Sequence, residues 1–210
     1  GTIIYSNDFK LDSSPMLGSK PNFDKILAQK NAIAMITDCT RAWDAKKTPS
    51  EAVAKEMLRD VMMSTDSEGK AIIVTTFSSH LARLKSIVEF GKIKNRRIVF
   101  LGRSLAKYVD AGRKAGIVNF PDVEIVKYRQ AISKKLKKIS KNPQDYLLVV
   151  TGHQGEPESV LSRMANHEFP FNFRYEDQII FSCTIIPNEI NVLNRERLEA
   201  KLKKNGVRIF

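Results

Sequence analysis

Short apolar runs alternate with helical patterns along almost the whole chain. The runs at 71–76, 97–101 and 146–150 are nearly continuous in apolar residues rather than alternating with polar ones. Such strands are typical of a parallel sheet covered by helices on both faces. The pattern therefore predicts an α/β, three-layer Rossmann-like fold with a mostly parallel sheet. Strands are predicted at 2–5, 33–37, 71–76, 97–101, 123–126, 146–150, 178–182 and 207–210.

Helices are predicted between most of these strands, and each has a recognisable start. Residues 48–51, Thr-Pro-Ser-Glu, have the pattern of a capping box with Pro49 as the first helical residue. Helix starts are further predicted at the caps Ser79 and Ser104, at Pro157 as a first helical residue, and at Asn191.

The composition is that of an ordinary globular protein. The chain has 210 residues, 42% hydrophobic and 28% charged, which suits one large domain or one domain with a piece of another. No apolar run is long enough for a membrane helix, and the N-terminus lacks a signal-peptide pattern. We therefore expect a cytoplasmic protein, and not a membrane protein. Cys39 and Cys183 end apolar runs, which favours buried free thiols over a disulfide.

The charge is strongly basic, and one segment carries much of it. A net charge of +12 favours a polyanionic partner, with nucleic acid first and an acidic membrane second. Residues 127–141 include seven basic and no acidic residues, and the spacing of Ile132, Leu136 and Ile139 predicts an amphipathic helix. Its polar side is either an RNA-facing patch or a solvated surface, and it carries Lys134, Lys135, Lys137 and Lys138.

Ligands of an open parallel sheet bind at the carboxyl ends of its strands, so the residues after each apolar run are candidates. Three of these turns run into predicted helix starts, which favour anions. Arg103 is suited either to bind a phosphate or to form an ion pair with a carboxylate. Phe77 is suited either to stack on a base or to pack in the core. We expect one edge to carry Asp8, Asp38, Cys39, Thr40, Thr76, Phe77, Ser78, Ser79, His80, Gly102, Arg103, Ser104, Thr151, Gly152, His153, Gln154, Gly155, Ser182, Cys183 and Thr184.

Catalytic motifs are scarce. His80, His153 and His167 are not at metal-ligand spacing, and no Walker or G-x-S-x-G motif occurs. Asp8 and Asp38 each follow a predicted strand, where a carboxylate reaches a metal or orients a histidine. Hydrolysis by this chain alone is therefore not expected.

Taken in order, the turns resemble one family. Residues 151–157 read TGHQGEP, where the family pattern is T-G-S-Q-G-E-P, and 161–166 read LSRMAN. The segments TFSS at 76–79, GRS at 102–104, FS at 181–182 and NDFK at 7–10 also match. The sequence resembles the RNase J group of the metallo-β-lactamase superfamily, in particular its β-CASP domain.

The resemblance implies a metal-dependent ribonuclease with two zinc ions, commonly a 5′-to-3′ exonuclease. It implies that Asp8 is the bridging metal ligand and that Asp38 is the acidic residue at the β-CASP entry. Gly102, Arg103 and Ser104, with the turn at 76–79, would line a pocket for the RNA 5′-phosphate. Residues 1–24 would end the first lactamase half, and 25–210 would form the β-CASP domain.

The sequence also departs from the family pattern. The H-x-H-x-D-H and H-x-S-G-H motifs are absent, His153 replaces a serine, and Asn7 replaces a glycine. We therefore interpret the chain as a fragment that binds single-stranded RNA weakly and cleaves nothing. The alternatives are an endonuclease of the 3′-end-processing type and a non-catalytic Rossmann-like domain that binds a nucleotide or RNA. The resemblance also allows a homodimer of the intact protein.

Overall fold

A computed structural model describes residues 1–40, 42–45 and 47–210. Within them the chain forms two compact units, Gly1–Glu56 and Met57–Phe210. The predicted division after residue 24 refers to family domains rather than compact units, and it stays a prediction.

The first unit contains a small sheet. Strand β1 (Thr2–Ser6) pairs in parallel with β2 (Ala32–Thr37), and helix α1 (Phe23–Leu27) lies between them in sequence. Both strands are apolar but exposed, with Ile3 at 61% and Ile33 at 74% of full exposure. Two strands bury little apolar surface, so this sheet has no core of its own.

Helix α2 (Glu51–Ser64) begins at a cap that comes from a distant loop. The Asp12 carboxylate accepts hydrogen bonds from the Ser50 hydroxyl at 2.6 Å and from the Glu51 amide at 2.8 Å. The Ser50 hydroxyl in turn accepts from the Ala52 amide at 3.2 Å. The predicted start at Pro49 is therefore wrong, because the Asp12 carboxylate and Ser50 together satisfy the first amides one residue later.

The second unit is built on a parallel six-stranded sheet. Its strands are β3 (Ile72–Thr75), β4 (Arg97–Leu101), β5 (Val123–Val126), β6 (Tyr146–Val150), β7 (Gln178–Phe181) and β8 (Arg208–Ile209). They lie in the order β5-β4-β6-β3-β7-β8, and every pairing is parallel. The predicted α/β fold is confirmed, and the observed strands fall within the predicted ranges of this unit.

Helices cover both faces of this sheet. Alternate residues of β3 divide between the faces: Ile73 packs in a buried cluster with Leu136, Leu161 and Leu198 from three helices, whereas Ile72 lies outside that cluster. The helices are α3 (Leu81–Ile93), α4 (Arg103–Lys114), α5 (Arg129–Ile139), α6 (Val160–Ala165) and α7 (Glu189–Lys204), and a short 3₁₀ helix spans Pro143–Asp145.

The predicted helix caps were less accurate than the strands. Ser104 is the second residue of α4, and α3 follows His80 rather than Ser79. Pro157 lies before the cap Ser159 of α6, whose hydroxyl accepts from the Ser162 amide at 3.2 Å. Local patterns missed these positions because they fix a helix start only to within one or two residues.

Buried Asp177 joins the starts of two central strands. Its Oδ1 accepts from the Ala71 amide at 2.8 Å, and its Oδ2 accepts from the Arg174 amide at 2.7 Å. Burial raises the pKa of Asp177, and these hydrogen bonds oppose the rise. Among the residues that the structure describes, no helix is long and apolar enough to cross a membrane.

Candidate nucleic-acid interface

The candidate turns fall at the ends of two separate sheets. The turns after β3, β4, β6 and β7 share the carboxyl edge of the six-stranded sheet, as predicted. Asp8 and Asp38 instead follow β1 and β2, which form the small sheet of the other unit. The expectation of one common edge is therefore wrong for these two residues, and for Cys39 and Thr40 after Asp38, because an apolar run does not reveal to which sheet its strand belongs.

The turns after β3 and β4 meet at their serines. The Ser78 and Ser104 hydroxyl oxygens lie 3.0 Å apart. Arg103, which precedes Ser104 in the chain, is exposed and is the first residue of α4, and the N-cap Gly102 supplies no side-chain hydrogen bond to that helix start. Exposed Ser79 belongs to the same edge. A cation, hydroxyls and the first-turn amides of a helix are groups suited to an anion.

Thr76 serves the fold. Its side chain is buried, and its hydroxyl donates to the Ser182 carbonyl oxygen at 2.9 Å. This bond joins the turns after the neighbouring strands β3 and β7. Thr76 is therefore placed as a structural support behind the edge rather than as a contact for RNA.

The turn at 151–155 contacts two helices, α6 and α7. Thr151 Oγ1 accepts from the Val160 amide at 3.1 Å, and the Thr151 carbonyl accepts from the Leu161 amide at 3.0 Å. A Cβ on Gly152 would lie 2.6 Å from the Ser159 hydroxyl oxygen. Thr151 and Gly152 therefore fix the start of α6.

Gly155 lies directly against the backbone of α7. Its φ is +78°, and a Cβ there would lie 2.4 Å from the Asn194 carbonyl carbon. Buried Gln154 joins the turn to the segment before α7, since its Nε2 donates to the Thr184 carbonyl at 3.0 Å and its Oε1 accepts from the Ile186 amide at 2.8 Å. Both residues are occupied in packing.

His153 packs against Phe77 within the edge. The ring centroids are 4.1 Å apart, and His153 Nδ1 lies 3.6 Å from a Glu156 carboxylate oxygen. The His153 carbonyl accepts from Arg195 at 2.8 Å. Burial lowers the pKa of His153, Glu156 acts in the opposite direction, and Arg195 adds to the lowering. Half-buried Phe77 therefore contacts an edge residue, and its ring is only partly available to a base.

A cleft of ≈ 620 Å³ opens at this edge. It contains four basic and two acidic side chains, and Gly102, Ser104 and Thr151 also line it. Several of these residues lie outside the predicted site, including those that directly follow β5, which share the carboxyl edge of the sheet with the predicted turns. The charged and aromatic members not predicted as site residues are Lys127, Tyr128, Arg129, Glu156, Glu158, Arg163 and Phe169.

Helix α5 confirms the amphipathic prediction, with Ile132, Leu136 and Ile139 buried. On its polar side Lys134, Lys137 and Lys138 are exposed. Lys135 differs from them: its side chain is 14% exposed, pairs with Glu124, and lies 5.5 Å from the Tyr146 ring centroid. Three of the four predicted lysines are thus available to a polyanion.

Asp8 and Asp38 are both exposed and follow neighbouring parallel strands. The Thr40 hydroxyl and amide donate to Asp38 and lower its pKa. Among the described residues, no three His, Cys, Asp or Glu side chains are grouped as a metal ion would require. These residues alone therefore do not fit a zinc site.

The cysteines are unpaired, as expected: Cys183 is partly buried and Cys39 is exposed. Burial raises the pKa of the Cys183 thiol to about 11. The predicted burial of Cys39 is wrong, because the sheet that precedes it is exposed.

Comparisons with known proteins identify the family of this chain. A family model described as Ribonuclease J, beta-CASP domain, matches residues 69–197. The chain is 39% identical to a ribonuclease J of Pyrococcus abyssi and 40% identical to one of Methanocaldococcus jannaschii, over its full length and 47% and 48% of theirs. A ribonuclease J of Synechocystis is 31% identical over 92% of this chain and 29% of its own length.

The chain thus spans about half the length of the first two relatives and a smaller share of the third. The matched residues include the strands β3 to β7, the serine pair, Arg103 and the turn at 151–155. The chain therefore belongs to the ribonuclease J β-CASP family.

Proposed function

We propose that this chain is the RNA-holding part of a metal-dependent ribonuclease that hydrolyses RNA phosphodiesters, with 5′-to-3′ exonuclease action favoured. The observation that carries the proposal is the Ser78–Ser104 contact beside Arg103 at the start of α4. It brings two hydroxyls together at a helix start whose first residue carries a guanidinium. This chemistry suits a phosphate.

In this proposal Arg103 binds the 5′-phosphate of RNA through its guanidinium. The first amides of α4 and the Ser78 and Ser104 hydroxyls complete the set of donors. A site for a terminal phosphate sets where the chain end lies and favours degradation from that end. Gly152, Gln154 and Gly155 contribute indirectly, since they hold the edge together.

The wider surface is suited to a single-stranded polyanion. The net charge is +12, and exposed Lys134, Lys137 and Lys138 lie on one helix. Charged grooves with stacking side chains bind single strands with little sequence preference. Single-stranded RNA is therefore the proposed partner. A cytoplasmic location and a homodimer of the longer protein belong to the proposal on the family resemblance alone.

Hydrolysis itself needs residues beyond those described. In the longer protein two zinc ions would activate the attacking water, and Asp8 would be one ligand. Asp38 would be the acidic residue at the β-CASP entry, with a catalytic role in the longer protein only. Since the described residues contain no group of three suitable ligands, we propose that this chain binds RNA without cleaving it.

The test of the phosphate site is Arg103→Ala. We expect the preference for a 5′-monophosphate decamer over its 5′-hydroxyl form to fall about tenfold, since a charge-assisted hydrogen bond is lost. Fluorescence anisotropy measures both affinities. Arg113→Ala is the matched control, because Arg113 is exposed in the last turn of the same helix. A wild-type chain without preference for the 5′-phosphate would contradict the proposed site.

The exonuclease mode is tested on the longer protein. It should degrade 5′-monophosphate RNA faster than 5′-triphosphate RNA and release products from the 5′ end. Internal cuts without any end preference would favour the endonuclease alternative.

A further inference from the structure

One wall of the 620 Å³ cleft is not used by the proposed 5′-phosphate site. Lys127, Tyr128 and Arg129 directly follow β5, the edge strand next to β4, and they lead into α5. Arg163 of α6 lines the same cleft. This wall therefore adjoins Arg103 and lies on the sheet edge where ligands bind in parallel α/β folds.

Tyr128 is the exposed aromatic side chain of this wall. It is 60% exposed, and the Lys127 ammonium lies 5.2 Å from its ring centroid. An aromatic ring beside basic groups is the usual platform on which a base of single-stranded RNA stacks. Every base has a flat face, so such a platform does not require a particular sequence.

Two of the four basic side chains of the cleft are available to a phosphate. Within the described part of the chain, Arg103 and Lys127 form no ion pair. Arg129 and Arg163 both pair with Glu168: the distances from Arg129 Nη2 and Arg163 Nη1 to Glu168 Oε2 are 3.3 and 3.5 Å. Arg163 also pairs with Glu158, and Glu156 lies in the lining. Two cations are therefore open to an anion, while the carboxylates hold the other two.

The helix start adds to this charge. The N-cap Tyr128 gives no side-chain hydrogen bond to α5, and no acidic residue lies in the first turn of this helix. The first turn of α5 therefore supplies no acidic side chain of its own to the positive end of the helix dipole, next to Lys127. It supports the cleft and does not define a site by itself.

We infer that this wall is a second subsite, which holds one nucleotide of a single-stranded RNA whose 5′-phosphate lies at Arg103. The base stacks on Tyr128, and the phosphate of that nucleotide lies near Lys127 and the start of α5. The inference rests on the proposed function and deepens it. It assigns a nucleotide-binding role to residues outside the predicted site.

Substitution of Tyr128 tests the stacking. Tyr128→Ala should weaken binding of a 5′-monophosphate RNA decamer about tenfold, whereas Tyr128→Phe keeps the ring and should bind as the wild type does. Tyr175→Ala is a matched control, because Tyr175 is 73% exposed with Lys70 Nζ 5.9 Å from its ring centroid and lies outside the cleft lining. Circular dichroism checks that each variant is folded.

An abasic scan of the decamer then locates the base. An abasic nucleotide at one fixed distance from the 5′-phosphate should lower the affinity of the wild type for the decamer about tenfold. The affinity of Tyr128→Ala should not change. Equal losses in both proteins, or wild-type affinity in Tyr128→Ala, would overturn the subsite and leave the phosphate site standing. A wild-type chain that binds no RNA would overturn both proposals.

Discussion

At the residue scale, Gly155 shows how a family motif serves packing. The turn that contains it carries the strongest resemblance to the family, yet Gly155 touches the backbone of α7. Its neighbour Gln154 is buried in hydrogen bonds to residues 184 and 186. These positions support the RNA-facing edge from behind.

Gly155→Ala should therefore destabilise the fold. A Cβ at this φ of +78° is strained and would also lie 2.4 Å from the Asn194 carbonyl carbon, so α7 has to shift. Gly116→Ala is the matched control, because Gly116 has a φ of +67° and open space around it. We expect Gly116→Ala to cost about 1–2 kcal/mol and Gly155→Ala roughly 1–3 kcal/mol more.

Urea denaturation of both variants measures the free energy of unfolding. Equal losses would show that the contact with α7 contributes nothing beyond backbone strain.

At the element scale, the start of α2 depends on a carboxylate far away in sequence. The amide and hydroxyl bonds from Glu51 and Ser50 lower the pKa of Asp12 to about 2. This value lies below the ordinary pKa of about 3.9, so the stabilisation is complete above about pH 4. It is lost as the pH falls through 2.

Asp12→Asn should reduce this acid dependence. The variant is expected to be less stable than the wild type at pH 5 and to lose less stability between pH 4 and 2. Amide hydrogen exchange at Glu51 and Ala52 reports the helix start directly. Asp8→Asn changes the same charge in the same unit without touching a helix start, so exchange at these amides should match the wild type.

Helix α5 gives an electrostatic prediction. Reversing the exposed Lys134, Lys137 and Lys138 to glutamate should weaken RNA binding and flatten its salt dependence. Since each phosphate contact in a single strand contributes about 0.7 to the slope of log K against log salt, we expect a change of about 2.

The control for this charge change reverses the three exposed lysines Lys85, Lys203 and Lys204 of other helices. Anisotropy titrations at several salt concentrations give both slopes. The same flattening in the control would mean that net charge alone, rather than the α5 surface, attracts RNA.

Strands were more predictable than sites for a physical reason. Buried parallel strands such as β3 and β6 need apolar residues on both faces, and this requirement is visible in a short window of sequence. The cap from Asp12 to Ser50 and the contact of Gly155 with Asn194 join residues distant in sequence, so local patterns do not report them. Tyr128 was not predicted as a site residue because the set of edge turns did not include the turn that follows β5.

At the scale of the whole molecule, we expect this chain to bind RNA without catalysing its hydrolysis. The described residues offer no group of three metal ligands, so added zinc should not make this chain cleave RNA. Gel analysis of RNA labelled at either end, with zinc or with a chelator, measures cleavage. Chelator-sensitive cleavage that Asp8→Asn abolishes would contradict the fragment interpretation.

The strand order also affects synthesis on the ribosome. Strand β3 is translated before both of its neighbours, because Ile72 pairs with Leu147 and with Gln178. At about 5–20 residues per second, its fully buried Ile-Ile-Val-Thr segment stays without partners for several seconds. Between the emergence of β3 and that of β6, a nascent chain therefore exposes an apolar strand that favours aggregation and chaperone binding.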